Sequence, residues 1–467
     1  MVLLPTYERR QPEHTALWHC VRAHLSAFLS QAEAVERPVP QFIREEFERF
    51  LRCGILSEGC AKVRCEQCGF TRLVAFSCKG RGVCPSCIAR RMSDTAAHLL
   101  DHVWPEVPTR QWVLSLPVPL RYLLAWDCEL SSAVIGLFID TVFGHLRQVA
   151  KRELGLCRLE DALPGAVCVV QRWGGSVNLN PHLHTLVMDG VFVRGSDGVL
   201  VFRALPEPTK AELAAVAWRI CERVVALLRK RGQWLDAPPE NDPLADVEPL
   251  LAALYTGSIT GTLVMGAKAG QRQMRLYGAP AREPEEGGKV RNAYGFDLHA
   301  GARIAAHDRK RLEMLARYTL RPPLSHSRLE ELPDGRYQIA LKKAWSDGTT
   351  HLVLDGVELL GRLAALVPPP RAHLTRYYGV FAPRSKVRAE VVPKPEVESC
   401  AHAPTDKPEK QRRNTWSELL ARVFAIDVLE CPRCHSRMQR VEWSTRPEKI
   451  ALWLKSTGPP TTDAQVA

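Results

Sequence analysis

Residues 178–187 read Asn-Leu-Asn-Pro-His-Leu-His-Thr-Leu-Val, so His182 and His184 flank one apolar residue, Leu183. Side chains alternate along an extended segment, which turns both imidazoles to one face and Leu183 to the other. Two imidazoles about 6–7 Å apart along a strand can grip one metal ion. The plain alternative is two polar residues satisfied by their neighbours, since so short a motif also arises by chance. A second set is Cys65-Glu66-Gln67-Cys68 and Cys84-Pro85-Ser86-Cys87, two Cys-x-x-Cys knuckles. Their spacing predicts one tetrahedral structural zinc closed by Cys65, Cys68, Cys84 and Cys87, with no open position for chemistry. Free cysteines in a core are the alternative, and Cys78 could replace one of the four sulfurs. Cys431-Pro432-Arg433-Cys434 is a third knuckle, half a site in need of partners, with Cys400 and His402 as candidates.

Tyr318 sits in 307–323, a stretch that reads as a helix stopped by Pro322 and Pro323. Leu312, Leu315, Ala316 and Leu320 form its apolar stripe, while Arg311, Met314, Tyr318 and Arg321 share another face. A phenol on a face lined by guanidiniums is poised to meet a phosphodiester, although a tyrosine packed at an interface has the same pattern.

The elements that must position these groups can be read from pattern. Residues 14–53 carry helical spacing broken at Pro38 and Pro40. Residues 110–117 and 166–173 read as strands, and Gly174-Gly175 turns the second into the histidine strand. Consecutive strands joined by a short glycine turn pair antiparallel, which puts Gln171 beside the histidines as a candidate third ligand or else a solvated strand residue. Residues 119–155 and 209–231 read as helices, the latter opened by a capping box of Thr209 and Glu212. A hairpin around Asp347-Gly348 follows the tyrosine helix. Residues 393–413 are rich in Pro, Lys, Glu and Ala, a composition with little means of packing.

The 467 residues leave room for two to four domains. Net charge is +12 and the pI about 9.1, which favours a polyanionic partner, most commonly nucleic acid. The basic stretch 268–291 holds Tyr277, with Tyr294 and Phe296 just beyond it, a pattern suited to single strands or to a solvated loop. No apolar run reads as a membrane span and no signal-peptide core opens the chain, so fifteen cysteines are expected to be reduced, in a cytoplasm. A GxxxxGK[ST] phosphate loop is missing, which argues against a nucleotide cofactor.

The Cys65–Cys87 ribbon, the block 110–117, the segment 171–190 and Arg317-Tyr318-x-x-Arg321-Pro322-Pro323-Leu324-Ser325 together resemble rolling-circle transposases of the insertion-sequence-91 family. The likeness runs in one order from about residue 15 to 443. That family belongs to the HUH endonucleases. The resemblance implies an α+β fold, an antiparallel sheet flanked by helices with the histidine pair on a central strand and the tyrosine helix packed across it. It implies His182, His184 and Gln171 around Mg²⁺ or Mn²⁺, Tyr318 as nucleophile, Arg311, Arg317 and Arg321 toward phosphate, and single-stranded or extruded element ends in a bacterial cell as the DNA. Some relatives carry two tyrosines four residues apart; the earlier position here is Met314, so the chain resembles single-tyrosine members. The expected domains are 1–107 (helices plus zinc ribbon), 108–370 (catalysis), 371–415 (linker) and 416–467 (a C-terminal appendage). The rival readings are a zinc-ribbon DNA-binding protein without catalysis, and a replication initiator or relaxase using the same chemistry.

Overall fold

The computed structural model describes residues 9–233, 242–278, 290–291, 294–394, 415–424 and 426–457. It is an α+β fold built on antiparallel sheets. The largest has six strands in the order Thr375–Gly379, Gly165–Trp173, Leu179–Met188, Thr109–Ser115, Asp297–Ala300 and Val290–Arg291. The histidine strand Leu179–Met188 is therefore central, with a neighbour bonded on each side.

Alternation along that strand divides the interior. Leu183 and Val187 join a core with Leu114, Val170 and the long helices Cys128–Leu154 and Lys210–Lys230. Leu186 and Met188 face the other way, toward Leu99, Leu100, Leu312 and Ala316. Those last four lie on the helices Pro85–His102 and Arg309–Leu320, which pack side by side. The sheet is thus covered on both faces, and buried strands of this kind lose a clean polar alternation. Thr209 and Glu212 form the anticipated capping box. The helix Cys128–Leu154 is long and apolar enough to cross a bilayer by length and composition, although Asp140 interrupts its apolar run. Its apolar residues Val134, Ile135, Phe138 and Val142 are buried against the sheet.

A second sheet of four strands runs Leu329–Glu331, Tyr337–Ala340, Thr349–Leu354, Met274–Tyr277. Its core also takes in the N-terminal helices Ala16–Ala34 and Gln41–Arg52 and the helix Gly356–Ala364. The helices expected to form an N-terminal preface share one core with residues 244–265 and 324–367.

Two boundaries differ from expectation. Thr375–Gly379, placed in the linker by its prolines and charges, pairs with Gly165–Val169 as an edge strand. Edge strands tolerate a polar face, so its half-buried Thr-Arg-Tyr-Tyr-Gly gives no clear alternation to read. Met438–Ser444, expected in an appendage, joins Cys60–Cys65 and Thr71–Ala75 in a three-stranded sheet. Chain start and chain end thus build one module. Cys400, His402, most of the 393–413 stretch and residues 279–289 of the basic stretch lie outside the described residues.

Candidate active site and cysteine clusters

The turn at Gly174 sets the register of the site. A Cβ there would meet Asn178 Oδ1 at 2.4 Å, so any larger residue would have to push the Asn178 side chain aside. The closed turn places Gln171 directly opposite His182, and Val169 opposite His184. Paired residues of an antiparallel ladder share a face. Gln171 therefore shares the histidine face, and its Nε2 donates to the Thr319 carbonyl of the tyrosine helix at 3.2 Å.

The imidazoles converge by their Nε2 atoms, 3.0 Å apart. His182 Nδ1 lies 2.7 Å from the Asn180 carbonyl, so it carries the proton and leaves Nε2 with its lone pair. His184 Nδ1 lies 2.9 Å from the side-chain amide of Gln111. Burial pushes the pKa of His184 down to about 3, helped by His182 and Arg321. It also lowers that of His182, with Arg321 and Arg121 adding to the effect. Both rings are neutral at pH 7; His182 Nε2 can donate its lone pair to a cation, and His184 Nε2 can do so once the Gln111 amide presents its oxygen to Nδ1–H.

The tyrosine helix Arg309–Leu320 starts at Asp308, whose carboxylate accepts from the Arg311 amide at 3.0 Å. Of the expected apolar stripe Leu312 and Ala316 are fully buried, and Thr319 joins them. Met314 and Tyr318 are 57 % and 49 % exposed. The Tyr318 ring meets His184 edge-on, with centroids 6.1 Å apart and planes at 88°. The Arg321 guanidinium covers the same ring at 4.2 Å. Histidine pair, Gln171, Tyr318 and Arg321 are thus brought together. Arg311 is exposed on the outer face. Arg317 is not free to reach outward: it pairs with Glu313, which also takes Arg422 at 3.1 Å.

Sequence reading overlooked Gln111, although it alternates with Val113 and Ser115 on the strand paired to the histidines. It also overlooked Arg121, Arg328 and Lys342. Burial and the charge of Arg321 lower the pKa of Arg328, and burial with Arg321 and Arg328 lowers that of Lys342. Like charges crowded this closely make a rim suited to an anion. No sequence spacing joins these residues; the second sheet carries Lys342 and Arg328 to the site.

The cysteines are grouped differently from expectation. Cys65, Cys68, Cys84 and Cys87 do not meet. Instead Cys53, Cys78, Cys84 and Cys87 form one quartet, and Cys65, Cys68, Cys431 and Cys434 another. In each, the four sulfurs lie within 4.8 Å of one another. The reason is the hairpin between the two knuckles. Cys60–Cys65 pairs antiparallel with Thr71–Ala75, so the chain is carried back past Cys60 before it reaches Cys78 and Cys84. Five strand steps of about 3.4 Å put the two knuckles roughly 17 Å apart. The first quartet opens the helix Pro85–His102, and Arg309 of the tyrosine helix donates to the Leu100 carbonyl in its last turn at 2.6 Å and to the Trp104 carbonyl just beyond it at 3.1 Å. Four thiolates at this separation suit a structural zinc.

Comparison with known proteins agrees. Residues 165–389 match the family model described as "Putative transposase", and residues 20–116 match one described as "Transposase zinc-binding domain". The chain is 25 % identical over 379 residues to "Putative transposase y4qJ" of Sinorhizobium fredii, covering 79 % of this chain and 81 % of that one. It is 24 % identical over 406 residues to the transposase for insertion sequence element IS801 of Pseudomonas savastanoi pv. phaseolicola, covering 84 % and 82 %. No solved structure matches at a significant level. What the fold, the cysteine quartets and these matches define is a zinc-binding transposase, and with it a DNA-binding protein. Within that class, the chain belongs to the insertion-sequence-91 family.

Proposed function

We propose that this transposase nicks and rejoins single DNA strands at the ends of a rolling-circle element, with Tyr318 as its one nucleophile. The observation that carries the reading is the edge-on approach of Tyr318 to His184, from a helix laid over the strand that bears the histidine pair. A packed interface tyrosine has no need of half its surface exposed beside two neutral imidazoles.

The donor set fits a divalent cation. Neighbouring ligands of an octahedral ion with bonds of about 2.1 Å stand about 3 Å apart, and the two Nε2 atoms are 3.0 Å apart. Held by His182 and His184, with the Gln171 amide oxygen as third ligand, Mg²⁺ or Mn²⁺ would polarise the scissile phosphate. Imidazole donors tilt affinity toward Mn²⁺. Gln111 then orients His184 by accepting from Nδ1–H, once its amide turns to present oxygen.

Tyr318 Oη bonds to phosphorus as the bond to the 3′ oxygen breaks. The product is a 5′-phosphotyrosine, and the phenol proton passes through solvent to the departing 3′ oxygen. Attack by a 3′-hydroxyl reverses the step, so rejoining needs no nucleotide cofactor. Arg321, Arg328, Lys342 and Arg121 hold the strand's phosphates. The accessible phosphodiester this requires is found in single-stranded or extruded DNA. Catalysis belongs to the six-stranded sheet and the helices on it, residues from about 108 to 394, with the cysteine module beside it.

The test is incubation of the protein with single-stranded element-end oligonucleotides and Mn²⁺ or Mg²⁺, read on a denaturing gel. A covalent band is expected with the native chain and none with Tyr318→Phe or without metal. A band that survives Tyr318→Phe moves the nucleophile elsewhere. Tight DNA binding with no band for any end sequence favours a binding protein without catalysis.

A further inference from the structure

The zinc-binding family model ends at residue 116, yet one of the two quartets is completed from residues 431 and 434. We propose that Cys65, Cys68, Cys431 and Cys434 bind a second structural zinc, which staples the C-terminal segment to the N-terminal module. The transposase then carries two zinc ions per chain, each in its own closed site.

Three observations support a built site over four thiols that merely lie close. First, the geometry suits a metal and excludes disulfides. Cys65 Sγ lies 3.4 Å from Cys434 Sγ, and Cys68 Sγ 3.4 Å from Cys431 Sγ. A disulfide needs about 2.05 Å, whereas bonds of about 2.3 Å to a tetrahedral zinc hold sulfurs about 3.8 Å apart.

Second, the two knuckles repeat one backbone design. The Cys65 amide donates to the Phe70 carbonyl at 2.8 Å, and the Cys431 amide to Ser436 at 2.9 Å. The Gly69 amide returns to the Cys65 carbonyl at 3.0 Å, and the His435 amide to Cys431 at 2.9 Å. The fifth residue is left-handed in both, Gly69 at φ 72° and His435 at φ 58°. Glycine adopts this freely; histidine does so at a cost, and accepts it only where the surroundings impose the turn. His435 is not itself a ligand, because its ring faces outward to Glu430.

Third, the strands behind the knuckles are already joined. Cys60–Cys65 and Met438–Ser444 pair from end to end around one bulge at Val441, with Cys65 opposite Met438. Val63, Cys65, Cys431 and Met438 form a small buried cluster beneath the sulfurs. So few apolar side chains hold a sheet weakly, and a structural metal is the usual supplement.

The full-length protein, purified without added zinc, is assayed for metal by elemental mass spectrometry. Two zinc ions per chain are expected. A variant with Cys431→Ser and Cys434→Ser together is expected to keep one, and cobalt substitution of that variant to halve the thiolate charge-transfer absorption. Because a serine variant could simply misfold, Cys434→His supplies the control: imidazole replaces a thiolate and two zinc ions remain. One zinc in the native chain, two in the double serine variant, or iron in their place would overturn the proposal.

Discussion

The histidine pair and the cysteine quartets hold their ligands in opposite ways. The quartets present four sulfurs apiece, drawn from hairpin, helix start and chain end, and leave nothing for a substrate to fill. The histidine site offers two imidazoles and an amide on one face of two paired strands, with a half-exposed phenol at its edge. A closed sphere can only hold; an incomplete one lets a phosphate enter. The difference shows in the supporting structure too. Most of the quartet ligands sit in turns or irregular segments, whereas the histidines lie in the middle of a six-stranded sheet, fixed by neighbours on both sides.

This contrast can be broken or sharpened by substitution. The largest effect is expected from Tyr318→Phe, which should abolish the covalent DNA adduct while shifting thermal stability by less than about 0.5 kcal/mol, since the hydroxyl stands at the surface. A matching loss of stability would make Tyr318 a packing residue. Cys84→Ser should behave in the reverse way. Structural zinc contributes on the order of 10 kcal/mol to small metal-dependent folds, so the variant is expected to unfold or aggregate, as circular dichroism and gel filtration would show. Gln171→Ala should weaken Mn²⁺ binding measured by calorimetry about 10- to 100-fold, and an unchanged affinity would strike Gln171 from the ligand set.

Acid provides a gentler probe. His184 is held neutral in the fold, with its pKa about 3, whereas in the unfolded chain it takes a proton near pH 6.5. The unfolded state therefore binds more protons between those values, and stability falls as pH falls through that window. At pH 5 the loss relative to pH 7, in the absence of divalent cations, should be up to roughly 2 kcal/mol, and His184→Gln should remove it. The smallest effect is expected from Arg422→Ala. Arg422 joins Asp101 of the helix Pro85–His102 at 2.6 Å and Glu313 of the tyrosine helix at 3.1 Å, two partly exposed contacts. Its removal should cost no more than about 1 kcal/mol.

Much of the geometry around the histidine pair was legible because its signals are local. The alternation of His182, Leu183 and His184, the glycine turn and the opposed Gln171 all lie within fourteen residues, and strand geometry does the rest. Thr209 and Glu212 announced their helix in the same way. The cysteines misled because ligand pairing is decided by the hairpin between the knuckles, which spacing alone does not reveal. Their nearest sequence partner is not their nearest neighbour in space: Cys68 meets Cys431, 363 residues later. The edge strand Thr375–Gly379 went unread because prolines and arginines around it look like linker, and its partner strand supplies what its own pattern lacks. Arg328 and Lys342 were invisible for a similar reason, since a second sheet delivers them.

The pairing of Cys60–Cys65 with Met438–Ser444 has a consequence for synthesis. A ribosome adding about 5 to 20 residues per second needs roughly 20 to 70 s to travel from Cys68 to Cys431. Through that interval the emerging chain carries an unpaired strand edge and two waiting thiols. Only a message read past residue 444 supplies the strand that covers them. A copy cut short by a frameshift or an early stop retains the histidine pair and Tyr318, yet its first sheet stays open. Synthesis past residue 444 is thus checked by the fold itself.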